Sequence, residues 1–101
     1  MPRASRTDAN QSKIVKAVRN LGASVWITSH ARTGVDCVWG ITCQSGMRVN
    51  VMVEIKDGNK PMSAQKLTVA EEKFHDEWKG QICIVRSVEQ AVDLVNRIKE
   101  K

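Results

Sequence analysis

Glu54 and Lys56 lie two residues apart and are followed at once by Asp57-Gly58. At that spacing a carboxylate and an ammonium project from the same side of a β-strand. Alternation through this stretch is strict. Val49, Val51, Val53 and Ile55 face one way; Arg48, Asn50, Met52, Glu54 and Lys56 face the other. The branched side is core. Charge at the strand end on the opposite side is costly unless each group has a partner. Residues 35–42 supply one. They read as the preceding strand, with Gln44-Ser45-Gly46 as a three-residue hairpin loop and Gly46 in its left-handed position. Pairing then sets Thr42 against Arg48, Gly40 against Asn50, Val38 against Met52, and Asp36 against Glu54. Val35, Cys37, Trp39 and Ile41 join the valines. A one-residue slip would turn Trp39 and Ile41 to the charged side, which supports the register. Two carboxylates directly opposite repel unless a cation lies between them. Asp36, Glu54 and Lys56 therefore have the make-up of a divalent-metal site with a lysine beside it.

The chain has 101 residues, a net charge of +5 and a pI near 9.4, with 42% hydrophobic and 27% charged residues. That is one soluble domain with a single modest core. The basic balance favours a polyanionic partner and also serves solubility. Of three cysteines, Cys37, Cys43 and Cys83, none forms a CxxC pair, so reduced thiols in a reducing, cytoplasmic compartment are expected. No stretch has the length or apolarity of a membrane span or a signal peptide.

Residues 1–7 read as a flexible basic arm and 8–101 as the domain. Arg3 and Arg6 in the arm are candidate phosphate contacts. Asp8 and Gln11 form a capping-box pattern, and Ile14, Val15, Val18 and Leu21 make one apolar helical stripe that Gly22 stops. Lys13 and Lys16 lie off that stripe, on a solvated face that would border a nucleic-acid groove. Residues 24–30 read as the first strand. His30, Arg32 in the following turn and exposed Lys60 after Asp57-Gly58 stand near the Asp36 end. Thr68 and Glu71 cap a helix whose Ala70, Phe74 and Trp78 line is expected to be core. Residues 81–86 read as a short buried strand. Ser87 and Gln90 open a last helix with Val88, Ala91, Val92, Val95 and Ile98 on its apolar side. The fold class is α/β, in the order αβββαβα. A right-handed crossover makes the last strand parallel to the central one, in a mixed four-stranded sheet with helices on both faces.

Gly34-Val35-Asp36, a hairpin, Glu54-Ile55-Lys56, Gly58 and Ser63-Ala64-Gln65-Lys66-Leu67-Thr68 together resemble the PD-(D/E)XK nuclease signature over nearly the whole chain. Within that superfamily the chain is most similar to small stand-alone VRR-NUC-type nucleases, often phage-encoded, which act on branched DNA such as Holliday junctions. Val35 stands where the signature has a proline. The resemblance implies a restriction-endonuclease-like core. It also implies an Mg²⁺- or Mn²⁺-dependent endonuclease in the cytoplasm of a bacterial or phage-infected cell. Asp36 and Glu54 would bind metal, with the Ile55 backbone carbonyl as a third ligand. Lys56 and Gln65 would serve catalysis, and Lys66 would contact phosphate. The family often carries a metal-binding glutamate in its first helix. Gln11 occupies that place here, as a ligand through water or as a capping residue only. Cutting both strands of a junction calls for two sites, hence a homodimer, with Trp26 as an interface candidate and Trp39 as one or, in preference, a core residue. The competing readings are a non-catalytic DNA-binding or assembly module on the same fold, and a small protein-interaction domain.

Overall fold

The computed structural model of the chain describes residues 10–29 and 34–101. The amphipathic pattern of residues 11–21 forms α1 (Gln11–Asn20), which buries Ile14, Val15 and Val18. Two antiparallel pairings follow, from β1 (Ser24–Ile27) to β2 (Cys37–Thr42) to β3 (Arg48–Ile55). The hairpin register is the one the alternation requires: Thr42 pairs with Arg48, Gly40 with Asn50 and Val38 with Met52. Gly46, at φ 93°, takes the left-handed corner of the turn.

The crossover runs through α2 (Met62–Gln65) and α3 (Val69–Glu77) to β4 (Ile82–Val85), which lies parallel to β3. α4 (Val88–Lys99) closes the fold. Among the described residues the sheet has the order β1-β2-β3-β4 and is mixed and four-stranded. α1 and α4 lie together over one face. There Ile14, Val18, Ala91, Val95 and Ile98 meet Cys37, Trp39, Ile41, Val51, Val53, Ile55 and Val85 in one core. Trp39 is fully buried and its indole N–H donates to the Cys37 sulfur at 3.1 Å. All three cysteines are free, and burial pushes the Cys37 thiol up to about 12.

Four sequence expectations are corrected. The first helix begins at Gln11 with Asn10 as N-cap and no side-chain cap bond, and Asp8 lies outside the described residues. Residues 62–65 form a helical turn, an element absent from the expected order αβββαβα. The Ala70, Phe74, Trp78 line is not core: α3 fully buries no side chain, Ala70 is exposed and Trp78 is 43% exposed. The Phe74 and Trp78 rings stack on each other instead, centroids 5.7 Å apart. β4 is half-buried apart from Val85, because it is an edge strand with only β3 beside it. Among the described residues no helix is long and apolar enough to cross a membrane.

Candidate active site

The site is built where β2 and β3 end. Thr28 N–H donates to the Asp36 carbonyl at 2.8 Å, and Asp36 N–H donates to Val53 O at 3.1 Å, extending the ladders past their last regular pairs. Asp36 is thereby set across from Glu54, and its Oδ2 accepts the Ile55 N–H at 2.7 Å. Asp36 is held by backbone on three counts before any ligand is considered.

Glu54 is 3% exposed. Burial comes first among the causes that lift its carboxyl to about 9; the charges of Asp36 and Glu71 add to it. Lys56 sits 3.7 Å from Glu54 Oε2 and 3.0 Å from Glu71 Oε1. Glu71 is the acid that sequence reasoning missed. It was read as half of a capping box, and it is that: Thr68 Oγ1 accepts from Glu71 N–H, while Glu71 Oε1 accepts from Thr68 N–H at 2.8 Å. The same oxygen also takes the lysine. Burial pushes the Glu71 carboxyl up, but the Thr68 N–H and the Lys56 ammonium outweigh it and hold it below its usual range. Nothing in the spacing of Glu54 and Glu71 signals this contact, because a loop and a helical turn separate them.

A second network braces the Lys56 end. Gln65 is buried; its amide donates to the carbonyls of Lys60 at 2.6 Å and Gly58 at 3.3 Å and accepts from Arg86 Nε at 3.0 Å. Asn10 donates to the carbonyls of Lys56 at 3.1 Å and Arg86 at 3.3 Å. Gly58 passes so close to β4 that a Cβ there would meet the Arg86 carbonyl at 2.9 Å, so only glycine fits. Gln65 thus positions the loop after Lys56. Arg86 was also missed, yet it was legible: the parallel register that pairs Ile55 with Val85 brings the next residues, Lys56 and Arg86, to the same end.

Beside this network a cleft of about 660 Å³ is lined by Asn10, Lys13, Asp57, Gly58, Gln65 and Arg86. Lys13 therefore faces a cavity. Lys16 does not share it; with Gln11, Val15, Arg19 and Ile27 it lines a separate cavity of about 390 Å³ between α1 and β1. Gln11 is buried, and its Oε1 has no hydrogen-bond partner. Lys60 and Lys66 are exposed. Arg3, Arg6, His30 and Arg32 lie outside the described residues.

The donor set suits a hard cation: the carboxylates of Asp36 and Glu54 and the Ile55 carbonyl are oxygen ligands of the kind Mg²⁺ and Mn²⁺ prefer. Buried, mutually repelling acids are also what a cation would relieve. Although Asp36 and Glu71 both adjoin Glu54, no group of three or more acids, histidines or cysteines among the described residues is arranged to hold a metal ion by itself. Any cation held here would rest on two carboxylates, backbone and water. No family model, no curated protein and no solved structure matches the chain.

Proposed function

We propose that the chain is a divalent-metal-dependent DNA endonuclease that hydrolyses phosphodiester bonds, selective for branched DNA of the Holliday-junction type. The observation that carries this reading is Glu54, a buried carboxyl pressed between two other acids with a lysine 3.7 Å away. The packing of an α/β sheet does not call for such a group, and it costs stability. Perturbed ionisable groups of this kind gather where chemistry is done. The strand order, the hairpin and the parallel last strand are compatible with an αβββαβα restriction-endonuclease-like core, to which α2 is an addition.

In this reading Asp36, Glu54 and the Ile55 carbonyl would hold Mg²⁺ or Mn²⁺, which would neutralise charge at the scissile phosphate and lower the pKa of the attacking water. Lys56 presents a fixed ammonium that orients the attacking water or stabilises charge developing on the phosphate. Glu71 aims that ammonium, while Gln65, Asn10 and Gly58 fix the backbone on which it stands. Lys13, Lys60 and Lys66 meet the phosphates, and Arg86, on the rim of the cleft with Lys13, adds to them. Two active sites for two strands call for a homodimer.

One arrangement favours a second reading, a non-catalytic DNA-binding module. Lys56 is engaged by Glu71 and Glu54 in a network that satisfies itself. Labelled four-way junction, flap, single-stranded and linear duplex DNA, incubated with Mg²⁺ or Mn²⁺, separate the two. Cutting by the parent and not by Lys56→Ala supports the nuclease, and the preferred substrate names its selectivity. Salt-dependent binding with no cutting in either metal supports the module.

A further inference from the structure

The face of the sheet turned away from α1 and α4 carries more than the acids. Its residues fall in rows across the strands. One row is Trp26, Val38, Met52 and Ile82. Beyond it come Ser24, Gly40 and Asn50, then Thr42 and Arg48. On the other side lie Asp36 and Glu54. Trp26 is 68% exposed, while Val38, Met52 and Ile82 are half-buried. An exposed tryptophan thus stands at the end of an apolar row, one row from the acids.

Gly40 is the second observation. It sits in the middle of a central strand, and a Cβ built on it meets nothing closer than Asn50 Oδ1 at 3.6 Å. The fold has room for alanine there, and glycine weakens a strand interior. With no bulge in the pairing at Gly40, the remaining use of such a glycine is close approach by a ligand or another backbone.

Area and charge choose the occupant. From the Trp26 row to Arg48 the face covers on the order of 300 Å², taking strands about 4.8 Å apart and residues about 3.4 Å along each. A stable dimer buries about 800 Å² per partner, more than twice that. The flat faces of unpaired bases need far less, and Arg48 with the net charge of +5 complements their phosphates. By the same strand spacings Trp26 stands about 12 Å from Glu54, within the span of a short stretch of single strand.

We infer that this face binds unpaired nucleotides, with Trp26 stacking on a base, Gly40 leaving the sheet low beside it and Arg48 meeting a phosphate. The inference rests on the nuclease reading and names its substrate class: DNA with single-stranded character, at a branch or an end. The test is fluorescence anisotropy in EDTA, with a labelled oligothymidylate and a blunt duplex of the same length. The parent should prefer the single strand. Trp26→Ala should weaken single-strand binding about tenfold and leave duplex binding unchanged, while Trp26→Phe should retain most of it. Gly40→Ala should melt at or above the parent's temperature and still bind the single strand several-fold more weakly. Unchanged single-strand binding in Trp26→Ala and Gly40→Ala, or equal losses on both probes, overturns the inference. So does a dimer that Trp26→Ala turns to monomer with single-strand binding intact, since a second copy then owns the face. Cleavage is scored separately in Mg²⁺. Trp26-dependent binding without cleavage sinks the nuclease reading alone, and cleavage with Trp26-independent binding sinks this one alone.

Discussion

Glu54→Gln should make the protein more stable while destroying the activity proposed for it. The magnitude follows from the burial and the neighbours of this carboxyl. Its folded value is raised from 4.5 to about 9. Between those values the folded state holds a proton that the unfolded chain has released, so stability falls as pH rises across the window. The slope approaches about 1.4 kcal/mol per pH unit, and the accumulated cost at pH 7 is about 3 kcal/mol. Glutamine matches the protonated carboxyl in shape, can donate to Asp36 or Glu71 as that proton does, and does not titrate. Urea denaturation of parent and variant in EDTA at pH 6, 7 and 8 reads the effect. The variant should gain on the parent steadily, by about 3 kcal/mol over the two units at most. Adding Mg²⁺ should then narrow the gap by stabilising only the parent, because a ligand that binds the folded state alone raises its stability. A gap that stays flat from pH 6 to 8, or a variant less stable than the parent at pH 8, would refute the idea that Glu54 is held protonated by its surroundings.

Three further outcomes are expected. Thr68→Ala and Glu71→Ala should each cost about 1–2 kcal/mol in urea through the lost cap; only Glu71→Ala should also flatten the pH dependence traced to Glu54 and reduce cleavage, since only Glu71 touches Lys56. Gln65→Ala should cost about 2–3 kcal/mol, because it strands the Arg86 guanidinium and two loop carbonyls in partly buried positions; a loss within about half a kcal/mol would return Gln65 to a purely catalytic role. Lys60→Ala and Lys66→Ala should each lower the slope of log K against log salt for duplex DNA by about one, with no change in preference among sequences.

The central hairpin was legible because its two faces differ so sharply. Val49, Val51, Val53 and Ile55 can share a core with Trp39 and Ile41 in only one register, and that register carries Asp36 to Glu54. The parallel placement of β4 followed from chain connectivity. What stayed hidden was set by contacts remote in sequence. Thr68-x-x-Glu71 explains itself locally as a cap, so nothing pointed to a second use of Glu71. Phe74 and Trp78 have the spacing of a core stripe, and the helix that carries them stands at the Lys56 end of the sheet and buries neither ring fully. The start of α1 escaped for a similar reason: Asn10 spends its side chain on the distant carbonyls of Lys56 and Arg86 rather than on its own helix.

The doubly used oxygen of Glu71 makes the first turn of α3 an internal reporter. Oε1 divides its acceptor strength between the Thr68 amide and the Lys56 ammonium. A phosphate that draws the ammonium away leaves the amide sole claim to a full carboxylate charge, and the cap tightens. The exchange of one backbone hydrogen, at Thr68, therefore registers what happens at Lys56. Engagement of the lysine should appear as slowed deuterium uptake at a residue that never touches the ligand.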